Sequence, residues 1–325
     1  MVTRRAMLAM LGCCAAVPIG CASAQPETEV RRRAPDTGGI LTPWTTITGG
    51  WRVASDVPVP LRASRPVVRE MLRRPVGVAV RGDTVMIADA GAGTLWRYDR
   101  TRDALLAVAP FSGHAAEQGV SMQIDADFST WIALPAEHAV VQFDANGRVL
   151  RRFRDDVNAA RPVALALRPE RGEVLVADGA SAHVVAFNRF GKAFRYHQAG
   201  ATPLQSVAAL SWGPLGLYVL DRLAQQVVVL GARGEIVALV GENQLVQPRA
   251  MAVDRAGRVF VADEADQRIK IFRGAQLIGS HGGPQFGRIE SLAFDANLLH
   301  AADSVNASIH VLLVAPPSLE RPLQP

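Results

Sequence analysis

The residues best suited to chemistry fall into two sets. Asp89, Asp178, Asp221, Asp263 and Asp303 each close a short apolar run. A carboxylate at the end of a strand and before a tight loop accepts hydrogen bonds from loop N–H groups. One such aspartate per unit is what a repeated turn requires, so these five are expected to be structural rather than a ring of acids and bases. The histidines make the second set. His114, His138, His183, His197 and His281 lie in or near loops, whereas His300 and His310 lie inside apolar runs. Imidazole is a good acid–base group and a common metal ligand. A metal needs about three converging ligands, and these five are spread over several units. They are candidates for a ligand-binding face; no catalytic residue, metal site or cofactor is assigned. The sequence holds no Gly-x-Ser-x-Gly elbow, no His-Glu-x-x-His and no phosphate-cradling glycine loop.

The aspartates recur in register. Val85-Met86-Ile87-Ala88-Asp89 has counterparts ending at Asp178, Asp221, Asp263 and Asp303, and Thr130-Trp131-Ile132-Ala133-Leu134 fits the frame with Leu in place of Asp. The spacings between these last residues are 45, 44, 43, 42 and 40. Each unit has a first strand after a Pro or Gly entry, a turn, the strand just described, a loop, a third strand and a weaker fourth. Runs such as Val227-Val228-Val229-Leu230 are apolar on both faces, unlike a sheet with one wet face. Four strands per unit of about 40 residues, buried on both faces, predict an all-β, six-bladed β-propeller. The last unit lacks a fourth strand before Pro316-Pro317. Part of segment 40–61, which contains Thr45-Thr46-Ile47-Thr48 and Trp51-Arg52-Val53, is expected to supply it and close the ring.

The unit Pro248-Arg249-Ala250-Met251-Ala252-Val253-Asp254, continuing through Gly257-Arg258-Val259-Phe260-Val261-Ala262-Asp263 to Arg268-Ile269-Lys270-Ile271-Phe272, resembles an NHL repeat. The likeness covers roughly 75–314 and is closest in the first, third and fifth units. The family's usual Asn after the Asp is mostly missing, Asn306 being the best match. The resemblance implies a propeller that serves as a binding, scaffold or lyase module, and so implies architecture rather than activity.

The N-terminus reads as an export signal. Arg4 and Arg5 precede an apolar run over residues 6–19 that is too short and too interrupted to span a bilayer. Thr3-Arg4-Arg5-Ala6-Met7-Leu8 partly matches a twin-arginine motif, which leaves that route and the general one open. Ile19-Gly20-Cys21-Ala22-Ser23 resembles a lipobox, with Cys21 as the lipidated first residue; the competing reading is cleavage after Ala22-Ser23-Ala24. Lipidation is preferred, with outer-membrane sorting. The expected layout is a signal peptide at 1–24, a flexible linker at 25–39 and one propeller with a short tail over 40–325.

Cys13, Cys14 and Cys21 are the only cysteines, so the mature chain has none to pair in a disulfide. Removing residues 1–24 takes away Arg4 and Arg5 and no acid, so the formal charge of +5 falls by two. Such a dispersed excess is no nucleic-acid footprint. The function expected is a non-catalytic binding or scaffold protein of the periplasm, with a protein partner and a membrane anchor at Cys21. The alternative is a zinc- or calcium-dependent lyase or hydrolase on the same loop-rich face. A third reading is carbohydrate or polyanion binding through Arg148, Arg151, Arg152 and Arg154.

Overall fold

The computed structural model describes residues 39–53, 68–111, 119–197 and 204–317. The proposed leader, Cys21, the linker up to residue 38, His114 and the last eight residues lie outside them.

Strands β1 (Leu41–Ile47), β2 (Gly49–Val53) and β3 (Arg69–Met71) precede the first repeat. Blade 1 holds β4 (Pro75–Arg81), β5 (Thr84–Asp89), β6 (Thr94–Asp99) and β7 (Ala104–Pro110). Blade 2 holds β8 (Met122–Ile124), β9 (Thr130–Leu134), β10 (Ala139–Phe143) and β11 (Val149–Phe153). Blade 3 holds β12 (Pro162–Arg168), β13 (Glu173–Asp178), β14 (Val184–Phe187) and β15 (Ala193–Arg195). Blade 4 holds β16 (Val207–Gly213), β17 (Gly216–Asp221), β18 (Gln226–Leu230) and β19 (Ile236–Val240). Blade 5 holds β20 (Pro248–Val253), β21 (Arg258–Asp263), β22 (Arg268–Arg273) and β23 (Gln276–Gly282). Blade 6 holds β24 (Ile289–Asp295), β25 (Leu298–Asp303) and β26 (Ser308–Val314), and takes β1 as its outer strand. Within each blade the strands are antiparallel neighbours, so this is a six-bladed β-propeller.

Both faces of the blades are dry because each packs against the next. The second strands β13, β17 and β21 are buried along their whole length. Among the described residues the core divides into six apolar clusters, one at each seam between neighbouring blades. At the seam of blades 6 and 1, Ile87, Leu105, Ala302, Ile309 and Val311 interlock, with Ile47 and Leu72 at its edge.

Closure goes further than a single borrowed strand. β1 pairs antiparallel with β26, and Ala315 N donates to Ile40 O at 2.9 Å. The chain then crosses at Thr48 to blade 1. There β2 lies parallel to β7, and β3 pairs antiparallel on its outside. Trp51 N donates to Asp103 O at 2.7 Å and Leu72 N to Thr48 O at 2.9 Å. Glycine is needed at this crossing, since a Cβ at Gly49 would sit 2.1 Å from Glu70 O. One segment thus supplies the outermost strands of both the last and the first blade. The second half of the segment expected to close the ring, 54–61, is outside the described residues.

Candidate functional site

The six first strands face the propeller axis. Each is a sheet edge, so part of its backbone N–H and C=O groups points into an axial channel and needs partners. Some are satisfied across seams: Val78 N donates to Ser291 Oγ at 3.2 Å, Leu165 N to Ser121 Oγ at 2.9 Å and Leu167 N to Gln123 Oε1 at 3.0 Å. The channel encloses about 260 Å³ between β4, β8, β16, β20 and β24.

One local irregularity shapes its mouth. β4, β12, β16, β20 and β24 each carry a register shift one residue into the strand, which leaves an extra residue unpaired. Such a bulge re-aims a side chain. The extra residue is Val76, Val163 and Ala208 in blades 1, 3 and 4, but Arg249 and Glu290 in blades 5 and 6. Arg249 Nη1 donates to Glu290 Oε2 at 3.2 Å across the seam. Arg249 Nε also pairs with Glu264, and Arg288 Nε lies 2.7 Å from Glu290 Oε1. Ser304 Oγ donates to the same Oε1 at 3.3 Å. Acid and base alternate along this chain, so its charges cancel. The side chain of Glu290 is almost wholly buried within it.

At the other end of the channel, Asp295 Oδ2 accepts from Gly82 N at 2.7 Å, joining blades 6 and 1. Across the ring, at the seam of blades 3 and 4, the buried Arg168 bridges Glu173 at 3.3 Å and lies over the Trp212 ring at 4.7 Å.

The recurrent aspartates sit at the loop-bearing end of the blades, each buried and each accepting backbone N–H groups. Asp89 accepts from Arg73, Arg74, Gly91 and Ala92. Asp178 accepts from Arg161 and Ser181, and Asp221 from Gln205, Ser206 and Ala224. Asp263 adds a 2.7 Å bridge to the Lys270 ammonium beyond its backbone donors Val246 and Gln247. Asp303 accepts from Gly287, Arg288 and Asn306 and lies 3.2 Å from His310 Nε2. All five thus link the entry of the first strand to the loop after the second, Asp263 through Ala265 N on the loop side. Although burial raises the Asp303 carboxyl, the His310 contact and the backbone donors outweigh it and hold it well below the usual carboxylate range. For Asp263 the opposition is the same, with Lys270 and the Val246 and Gln247 amides lowering it.

The candidate histidines are not gathered. His138 is exposed, and its Nδ1 lies 2.6 Å from Ala160 O. His183 occupies the equivalent loop of blade 3, where its backbone carbonyl accepts from Asp178 N. His197 is buried, with Nδ1 2.8 Å from Gly234 O in a turn at the opposite end of blade 4's strands. His281 lies within β23, with its ring 5.9 Å from that of Phe286. Burial lowers its pKa, helped by Arg268 and His310. Among the described residues no three His, Cys, Asp or Glu side chains group as a metal site. His300, in β25, is wholly buried, and burial with a smaller contribution from Arg100 pushes its pKa down to about 3. Neither of its ring nitrogens has a hydrogen-bond partner among the described residues.

Sequence reasoning passed over Arg249, Glu264, Arg288 and Glu290. For Arg249 and Glu290 the signal is a charge at a frame position that is Val or Ala in blades 1, 3 and 4, visible only once the repeats are aligned through the bulge. Glu264 and Arg288 stand at positions that are polar in other units too and carry no such signal.

No protein-family model matches the chain, and no curated protein matches it. Solved structures do share its fold. A protein of unknown function from Bacteroides thetaiotaomicron is 14% identical over 75% of this chain and 70% of its own, with a TM-score of 0.58. The virginiamycin B lyase of Staphylococcus aureus is 11% identical over 82% and 96%, with a TM-score of 0.57. A streptogramin B lyase is 11% identical over 76% and 85%, with a TM-score of 0.55. At such identity the likeness is one of fold alone: this chain is similar to these structures in its propeller architecture.

Proposed function

We propose that the chain is a non-catalytic binding propeller of the cell envelope, an NHL-like scaffold that holds a protein partner on its loop-bearing face. The observation that carries this is a set of apolar side chains displayed there. Leu223 and Val305, in the second-to-third-strand loops of blades 4 and 6, are 66% and 65% exposed. Val246, in the loop entering blade 5, is also more than half exposed. Exposed apolar residues clustered on a rigid face are the composition of a protein interface. The charged groups at the channel mouth beside them are already paired, which favours holding a partner over transforming a substrate. The N-terminal sequence supports export and anchoring at Cys21 to the periplasmic side of the outer membrane.

The alternative, a metal-dependent lyase or hydrolase on the same face, is favoured by one observation, that two of the fold neighbours are lyases. In-cell photocrosslinking separates the readings. A crosslinker at 223 or 305 is expected to trap a discrete adduct, and one at Leu215, in a turn on the opposite face, is not. Equal absence at all three positions overturns the proposal.

A further inference from the structure

The outer edges of blades 2 and 3 form one continuous surface on the rim. The turn of blade 3 rests on the outer strand of blade 2: a Cβ at Gly191 would lie 3.1 Å from the Phe153 ring. Residues 148–154 and 189–195 together hold six arginines and one lysine, and no acid. Arg152 reaches Glu137 at 2.6 Å. Among the described residues, no acid stands at bridging distance from Arg151, Arg154 or Arg195.

Charge on an edge strand is a common guard against aggregation, but such a guard needs no exposed hydrophobics. Here Phe190 projects from the turn with 79% of its surface free, and Val149, Leu150 and Phe194 are also exposed. The Arg189 guanidinium lies 4.8 Å from the centre of the Phe190 ring. Arg151, Arg154 and Arg189 line a shallow, open groove beside it. Protein-binding hot spots fill desolvated pockets. An aromatic group projecting from a convex rim among guanidinium groups instead has the composition of an interfacial anchor, with the cations on phosphates and the ring at the acyl boundary.

We propose that this rim docks the protein on an anionic phospholipid surface. The inference goes beyond partner binding and uses a different surface from the loop face.

Sedimentation of the full chain with vesicles tests it, comparing pure phosphatidylcholine with phosphatidylcholine containing phosphatidylglycerol. The variants are Arg151→Glu with Arg189→Glu, and Phe190→Ser, all at exposed side chains, with the thermal midpoint checking the fold. The charge-reversal pair is expected to cut partitioning onto anionic vesicles roughly tenfold or more. Phe190→Ser is expected to weaken it several-fold, with pure phosphatidylcholine unaffected by either change. Binding through the N-terminal segment is common to all these chains and cancels in the comparison. Unchanged partitioning in both variants overturns the proposal. So does loss in the reversal pair alone, with inorganic polyphosphate competing, which would mark a soluble-polyanion site. Failure of the loop-face crosslinks would leave this result untouched, so the two proposals fail separately.

Discussion

Arg249 and Glu290 occupy the same extra-residue position in the first strands of adjacent blades, and they meet at 3.2 Å across the seam. In the other bulged strands that position is Val76, Val163 or Ala208. The charge pair therefore replaces apolar packing at one seam of a ring that otherwise closes without it. Arg249→Met would leave the buried Glu290 carboxylate with Arg288 as its remaining cation, and is expected to cost about 1–3 kcal/mol in denaturant unfolding. Adding Glu290→Met should recover part of that loss, because the pair is removed together. Additive losses in the double variant would contradict the coupling.

The crossing segment predicts a steric effect. Alanine at Gly49 would place its Cβ 2.1 Å from Glu70 O and 2.9 Å from Met71 Cα, both backbone atoms. β3 must then be displaced from β2. Gly49→Ala is expected to destabilise the fold by about 1–3 kcal/mol. A control, Gly82→Ala, meets no atom within 4 Å and bears only the strain of its φ of +56°. Equal losses at the two positions would argue against the crossing as drawn.

Acid should weaken the ring through His300. The unfolded imidazole takes up a proton near pH 6.5, and the folded one only at about pH 3. Between those values the unfolded state binds more protons, so the stability present above pH 6.5 is lost progressively as pH falls. His281 shifts in the same direction. The loss down to about pH 4.5 should reach roughly 1–3 kcal/mol. Asp263 and Asp303, whose pKa values are lowered, add their losses only below the ordinary carboxylate range. His300→Met should flatten the curve between pH 6.5 and about 4.5. Identical slopes for the two proteins would mean that His300 is not held neutral.

Anchoring is tested outside the propeller. Cell fractionation is expected to place the wild-type chain with the outer membrane and the Cys21→Ser variant in the soluble periplasm. If the variant still sediments with the outer membrane, Cys21 is not the anchor.

Much of the architecture was legible because it repeats. The Asp-terminated strands appear at 89, 178, 221, 263 and 303 in register, and apolar residues on both faces of β17 and β18 reflect packing between blades. The missing fourth strand after β26 pointed to β1, and β1 is the strand that pairs there. The extension of blade 1 by β2 and β3 was not legible. β2 joins β7 in parallel, a pairing with no hairpin turn to announce it, and β3 is three residues long. The mouth charges were hidden for a related reason. A bulge adds a residue without changing the apolar alternation around it, so nothing in the strand pattern marks out Arg249 and Glu290. His197 was misleading in a different way: sequence position put it near a blade-joining loop, whereas packing turns its ring against the carbonyl of Gly234.

Metal analysis of the chain purified without chelators bears most directly on the central proposal, that this propeller holds a partner rather than performing metal-dependent chemistry. The account predicts far less than one equivalent of zinc or calcium per chain. One tightly held zinc or calcium ion per chain would contradict it.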